Sequence, residues 1–261
     1  MRYQTIELQQ DNYIATLWLD RPDVRNAFNE TTIAEITQAF RDLGSDDSIR
    51  AIILAARGPA FCAGADLNWM KKMAGYTHAE NLADAAQLAA MLLTIYRCPK
   101  PVVAKVQGDC YAGGMGLVAV CDIAVAVDTA NFCLSEVKLG LIPATISPYV
   151  IKAIGEHAAR RYFLTAERFS APEAHRTGFV HDVVKADALD ATVDGIVQAL
   201  ITNSPHAVKE AKRLVQDVAG MPLTDALVAD TVARIADIRT SDEGREGVQS
   251  FLEKSKPGWL T

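Results

Sequence analysis

One pattern limits the fold more than any other. Short apolar runs at 51–55, 102–106 and 122–127 are each followed by a tight loop, and then by a helix or the next strand. Runs of about four to eight apolar residues bounded by turn residues fit strands buried on both faces. Strands that alternate in this way with helices build layered α/β folds rather than sandwiches. The three phrases share no fixed period, so they are not copies of one repeat. The pattern predicts stacked strand–helix turns.

The remaining segments fill in around these phrases. Strands are expected at 5–8 and 14–19, joined by a polar turn at 9–12, with Asp20-Arg21-Pro22 closing the second. Asn29 is a suitable N-cap for a helix from 30 to about 43, which Gly44 is expected to stop. A helical stretch at 67–97, broken near Gly75-Tyr76, ends at Pro99 and Pro101. Another short strand is expected at 131–135. Beyond Pro143 the pattern is helical at 147–154, 156–164 and 171–177, with a last strand at 180–184. Only helices follow, at 189–202, 205–218, 224–239 and 241–252.

Composition excludes several classes. A chain of 261 residues with 50% apolar and 22% charged residues is an ordinary globular protein, not a disordered chain, a collagen or a coiled coil. Its net charge is −6 and it has no basic stripe, which argues against nucleic acid. An anionic small ligand remains compatible, because its binding depends on local charge. The five cysteines form no C-x-x-C pair, so neither a metal site nor a disulfide framework is expected. Reduced thiols fit a cytoplasmic protein. The first twenty residues contain no signal-peptide apolar region. No apolar run reaches the roughly 18 residues of a membrane span.

Gly108, Gly113, Gly114 and Gly116 cluster after the 102–106 strand. Gly114–Ala119 fits the dinucleotide fingerprint G-x-G-x-x-A, and Glu136 lies 20 residues past Gly116, where a ribose partner would stand. A second reading is an oxyanion site. Backbone N–H groups at a helix start are unpaired and favour negative charge, and glycine admits close approach. The amide of Ala65, in the FCAGADL loop at 61–67, would supply a second donor. The third reading is close helix–strand packing.

Four stretches taken together resemble the crotonase (enoyl-CoA hydratase/isomerase) superfamily. They are DRPDVRNAFN at 20–29, FCAGADL at 61–67, PKPVVAKVQGDCYAGGMGLVAVCDIAVA at 99–126 and FCLSEVKLGLIPA at 132–144. They stand in the family's order and spacing, and the likeness runs through nearly the whole chain. The stretches at 67–85 and 132–169 are most similar to bacterial methylglutaconyl-CoA and isohexenylglutaconyl-CoA hydratases. The resemblance implies an α/β fold with a ββα spiral catalytic core over residues 1–195. It also implies a C-terminal helical trimerisation region over 196–261, giving homotrimers or dimers of trimers. No permanently bound cofactor, metal or membrane is expected, and the partner is an acyl-CoA thioester substrate.

The resemblance also assigns roles. The thioester oxygen is expected between the amides of Ala65 and Gly113, with Glu136 as acid/base. Coenzyme A contacts are expected from Arg25, Ala27, Ala63, Asp66, Leu67 and Lys254; Asp66 equally suits a helix N-cap. Lys71, Lys72 and Lys256 are further candidates for the phosphates. Asp109, Tyr111, Gly116 and Thr145 are candidates for the substrate pocket. Lys105, Tyr76, His78 and Ser147 join Thr145 as candidates to meet a dicarboxylic acyl group. Hydratases of this family commonly use two glutamates, and the position of the first is Gly116 here. Methylglutaconyl-type hydratases share that glycine. Single-glutamate relatives include Δ3,Δ2-enoyl-CoA isomerases, so isomerisation by Glu136 alone stands as the alternative to hydration.

Overall fold

The computed structural model describes residues 3–260; Met1, Arg2 and Thr261 lie outside them. Strands β1 (Ile6–Asp11) and β2 (Ile14–Leu19) form an antiparallel hairpin. The hairpin is longer, and its turn tighter, than the polar composition at 9–12 predicts: Asn12 alone takes a left-handed conformation (φ 51°) and the chain reverses there. Helix α1 (Glu30–Ser45) starts where Asn29 accepts a hydrogen bond from the Thr32 N–H, and buries Ile33, Ile36, Phe40 and Leu43 on one face. Gly44 does not stop it. A Cβ there would lie 3.2 Å from Cδ of Pro99, so the glycine lets the last turn pass close to that proline.

Each phrase holds two strands; the second was expected only after the 122–127 run, where the strand at 131–135 is present as 131–133. β3 (Ala51–Ala56) is followed by β4 (Ala60–Cys62), β5 (Val102–Val106) by β6 (Asp109–Tyr111), and β7 (Ile123–Val127) by β8 (Asn131–Cys133). The first member of each pair joins a six-stranded sheet and the second a four-stranded one. Between the turns lie α2 (Leu67–Met73), α3 (His78–Tyr96) and α4 (Gly113–Ala119). The stacked turns of this spiral leave β3 buried along its whole length.

α5 (Ser147–Thr165) is interrupted at Gly155, whose φ of 74° breaks the helical path where two helices were expected. β9 (Phe169–Ser170), α6 (Ala171–Arg176) and β10 (Asp182–Val184) complete the sheets, giving the orders β1-β2-β3-β5-β7-β10 and β4-β6-β8-β9. α7 (Leu189–Ile201) buries Leu189, Val193 and Val197 against the larger sheet. The division expected at 195/196 falls inside this helix.

α8 (Pro205–Val218), α9 (Asp225–Thr240) and α10 (Asp242–Glu253) extend from the core. α8 and α9 bury no residue, although α9 shows the stripe Val228, Val232, Ile235. Hydrogen bonds from Lys212, Gln216 and Arg50 tie this part to the spiral, Gln216 Nε2 donating to the Tyr96 carbonyl (2.6 Å). Lys212 Nζ donates to Asp122 (2.7 Å) and to the Lys100 carbonyl, and Arg50 donates to the Trp259 carbonyl (2.7 Å). Among the described residues no helix is long and apolar enough to cross a membrane.

Candidate active site

The site is built where two loops, leaving neighbouring strands of the smaller sheet, press together. After β4 the chain runs Ala63-Gly64-Ala65-Asp66 alongside Phe28. Phe28 N–H donates to the Gly64 carbonyl (2.9 Å), and Asp66 N–H donates to the Phe28 carbonyl (3.0 Å). These bonds use the Gly64 carbonyl and the Asp66 N–H and leave the Ala65 N–H with no acceptor among the described residues. After β6 the chain turns at Ala112, held at φ 48°, ψ −124°, an expensive conformation for a residue with a Cβ. Gly113 then opens α4, and its N–H is also without an acceptor, as at any uncapped helix start. A Cβ on Gly64 would lie 3.0 Å from the Ala112 Cβ and 3.7 Å from the Gly113 nitrogen, so the loops touch.

Both amide residues line a cavity of about 620 Å³. Its walls come from Phe28, from Trp69 of α2, from α3 and from the segment 140–146. Glu136 enters it from the short turn Glu136–Leu139. The side chain is half-buried, and Oε2 is sealed from solvent with no hydrogen-bond partner. Burial pushes the carboxyl above its usual range, and only a backbone hydrogen bond within the residue opposes this. The unpartnered carboxyl oxygen and the two unused N–H donors thus belong to three residues that line one cavity.

The other glycines of the cluster serve packing. A Cβ on Gly114 would lie 2.8 Å from Cys62, and one on Gly116 would lie 2.3 Å from Cγ2 of Ile146. This overturns the dinucleotide reading. The glycines seat a seven-residue helix against β4 and Ile146, and Glu136 faces the cavity rather than a ribose position after a βα turn.

The expected site residues are not all brought together. Thr145 lines the cavity with Glu136. Gly116 does not; it is buried behind Ile146. Asp109 and Tyr111 line a separate cavity of about 250 Å³ with Arg25 and Ala63. There the Tyr111 hydroxyl donates to Asp109 (2.5 Å) and is pushed up to about 12, by burial first and then by that carboxylate. Burial opposes the charge on Asp109, but bonds from Tyr111 and Asn131 outweigh it and hold the carboxyl below its usual range. These two residues were expected in the substrate pocket because they are close in sequence to Gly113. The alternation of β6 sends them elsewhere.

Asp66 is the N-cap of α2, accepting from Asn68 N–H (2.7 Å) and Trp69 N–H (3.3 Å), and it pairs with Arg21 at 2.8 Å. Burial works against its charge, yet Arg21 and the two amides keep the carboxyl below its ordinary range. Ala27 is buried, whereas Leu67 is 74% exposed at the start of α2. Lys254 caps α10 in a left-handed conformation (φ 56°) and is exposed, as are Lys71 and Lys256. Lys72 pairs with Glu30. Lys105 pairs with Asp190 beside Trp18, in another cavity, and Ser147 Oγ donates to the Ala144 carbonyl. Tyr76 is half-buried and His78 exposed, and neither lines the cavity of Glu136.

The sequence reading missed the α3 wall. Asn81 and Asp84 line the cavity, and the Trp69 indole N–H donates to Asp84 Oδ1 at 3.0 Å. The available signal was an acidic residue within an alanine- and leucine-rich helix, beyond its first turn.

A family profile described as enoyl-CoA hydratase/isomerase matches residues 9–261. The chain belongs to that family. The mevalonyl-coenzyme A hydratase sidH of Aspergillus fumigatus is 34% identical over 95% of this chain and 91% of its own. An enoyl-CoA hydratase crystal structure from Shewanella pealeana superposes with a TM-score of 0.96 at 42% identity, covering 99% of this chain and 97% of that one. One from Mycobacterium smegmatis gives 0.93 at 34% identity, covering 99% and 100%. The spiral of paired strands with its helical extension is thus the crotonase fold.

Proposed function

We propose that this chain hydrates a 2-enoyl-CoA thioester, and dehydrates the 3-hydroxyacyl product in reverse. One observation carries the reading: Ala65 and Gly113, each with an unused backbone N–H, line one cavity with Glu136, whose half-buried carboxyl has an unpartnered oxygen. With the thioester oxygen between Ala65 and Gly113, charge that develops on it during addition at C3 meets both donors. Donors that strengthen toward the enolate accelerate the step rather than merely tightening binding. Glu136, whose carboxyl burial pushes above its usual range, is suited to exchange a proton with C2. Acyl-CoA arrives as substrate, and no permanently bound cofactor is invoked.

The acyl group we propose is of the 3-methylglutaconyl type, as in leucine/isovalerate or acyclic terpene catabolism. Support comes from the stretches at 67–85 and 132–169. Among the described residues no Lys or Arg lines the cavity. A free carboxylate on the acyl tail would therefore be met by neutral donors, of which Thr145 and Asn81 are at hand. For the coenzyme we assign Arg25, Ala27, Ala63, Asp66, Leu67 and Lys254, with Arg25 and Ala63 already sharing one cavity. A second reading, Δ3,Δ2-enoyl-CoA isomerisation, is favoured by Gly116: no carboxylate can stand there while Ile146 does.

We also propose that α8–α10 form an oligomerisation region, giving a homotrimer or a pair of trimers. The apolar stripe of α9 and the exposed Phe251 and Leu252 of α10 support it. Five free cysteines, four of them buried, fit a reducing cytoplasm.

The test is a panel of crotonyl-, 3-methylcrotonyl-, 3-methylglutaconyl-, isohexenylglutaconyl- and 3-hexenoyl-CoA, followed by the ultraviolet absorbance of the conjugated thioester. Loss of absorbance with a glutaconyl substrate is expected. Preference for crotonyl-CoA overturns the acyl assignment. Absorbance gained from 3-hexenoyl-CoA, with no water addition to any member, selects isomerisation. Sedimentation velocity reads the oligomer.

A further inference from the structure

Adding water across a double bond moves two protons. One leaves the water that attacks C3, and one arrives at C2. The position of the family's first glutamate is closed, because a Cβ on Gly116 would already lie 2.3 Å from Ile146 Cγ2, 3.0 Å from Ile146 Cβ and 3.5 Å from Leu92 Cδ2. The cavity nevertheless contains a second carboxylate, brought by α3 rather than α4. Glu136 and Asp84 are the acidic side chains in its lining.

Asp84 is held in a definite orientation. The Trp69 indole N–H donates to its Oδ1 at 3.0 Å, and Oδ2 has no partner among the described residues. Trp69 is itself fixed. It is 3% exposed and packs on the Phe28 ring, with centroids 5.9 Å apart. The Phe28 ring tip in turn abuts Gly113, where a Cβ would lie 2.4 Å from Cζ. An unbroken series of contacts, Gly113–Phe28–Trp69–Asp84, thus fixes this carboxylate relative to one of the oxyanion amides. A half-buried Asp with an indole anchor and a free oxygen in an otherwise largely apolar cavity is not a surface charge.

We propose that Asp84 is the second catalytic carboxylate of the site, accepting the proton of the attacking water while Glu136 serves C2. The inference rests on the hydratase reading. In the forward direction the water oxygen bonds to C3, and the C2=C3 π pair moves onto the thioester as an enolate whose oxygen is held by the Ala65 and Gly113 amides. The proton lost by the water goes to Asp84 Oδ2. The enolate collapses as C2 takes a proton from the Glu136 carboxyl. The enzyme then holds a protonated Asp84 and an ionised Glu136, and transfer of that proton back through cavity water restores the starting state. One water is consumed and nothing is oxidised or reduced. Isomerisation, which moves one proton between C2 and C4, would have no use for Asp84.

The test separates the two carboxylates by reaction. Asp84→Asn and Glu136→Gln are compared with the unaltered protein in two assays. One is hydration of the best substrate of the panel. The other is exchange of the C2 protons of the matching saturated acyl-CoA into deuterated water, read by mass spectrometry. Exchange needs the amides and Glu136 but no attacking water. For Asp84→Asn, hydration is expected to fall about 100-fold or more while exchange stays within about threefold. Glu136→Gln should lose both. Trp69→Phe, which keeps the ring but removes the indole donor, should lower hydration alone. Asp84→Asn that hydrates at the unaltered rate, or that loses hydration and exchange equally, overturns the assignment. An unaltered protein that hydrates no panel member overturns the proposed function, and this assignment falls with it.

Discussion

Ile146 stands where a side chain on residue 116 would have to begin: a Cβ built on Gly116 would lie 2.3 Å from the Ile146 Cγ2 methyl. The departure from the two-glutamate pattern is therefore a repacking, not a simple deletion. Gly116→Ala should overpack a fully buried contact and cost about 1–3 kcal/mol, read as a lower urea midpoint at unchanged slope. Pairing it with Ile146→Ala, which removes the Cγ2 methyl that the new Cβ would strike, should cost less than the sum of the two single changes. A Gly116→Ala protein as stable as the original would show that Ile146 yields freely.

A neighbouring glycine tests the amide rather than the packing. A Cβ on Gly113 would lie 2.4 Å from Phe28 Cζ, and Phe28 is 1% exposed between Gly113 and Trp69. The ring is packed against the buried Trp69, so Gly113→Ala is expected to displace the loop that carries the N–H or to push the ring into the cavity. Loss of one oxyanion donor lowers turnover by about 10²–10³-fold. The expected signature is a fall in kcat with a much smaller change in KM, because the donor acts mainly on the developing enolate. An equal rise in KM at constant kcat would mean that the amide only binds substrate.

Much of this arrangement was legible in the sequence, and what was not has physical causes. The apolar runs that became β3, β5 and β7 announce themselves because burial on both faces demands continuous hydrophobicity. Their companions β4 and β6 are three residues long and sit among glycines, so no periodicity can reveal them. Gly44 was misread because a helix passing close to Pro99 needs the same residue as a helix that stops. Ala65, Gly113 and Glu136 were read from motif order, and all three line one cavity. Asp84 was not, because its partner Trp69 lies fifteen residues away on another helix and only tertiary packing joins them. Asp109 and Tyr111 were misplaced for the converse reason, since closeness in sequence to a functional amide says nothing about which side of a strand a residue occupies.

Glu136→Gln carries a prediction for stability as well as for rate. Burial raises the folded-state value of this carboxyl above its unfolded value near 4.5. The folded protein then binds the proton more tightly than the unfolded chain does. The contribution is fully present below the unfolded value and is lost as pH rises through the raised folded value. Glutamine removes that term. Relative to the original protein, Glu136→Gln should thus gain stability as pH rises from about 4 to neutrality, while hydration falls at least about 10²-fold. Thermal unfolding across that range reads the first effect. A stability difference that does not change with pH would show that Glu136 is not desolvated in the folded state.

Asp122 and Lys212 test how the helical extension is held to the spiral. Lys212 is 8% exposed on its side chain and donates to Asp122 Oδ2, which also accepts from the Val102 N–H at 2.7 Å. Burial still wins over both partners and keeps the Asp122 carboxyl above its ordinary range. Lys212→Met keeps the length of the side chain but strands a partly desolvated carboxylate, at a cost of about 3 kcal/mol near neutral pH. The sign of the pH effect follows from the charge. Below the ordinary carboxylate value Asp122 is protonated in folded and unfolded chains alike, so the loss should shrink on acidification and grow as pH rises through the raised folded value. Asp122→Asn combined with Lys212→Met should cost less than the sum of the two single changes, because each single change leaves the other partner uncompensated. Strict additivity in that cycle would mean that the two groups do not interact in solution and that α8 is held to the sheet by its other contacts.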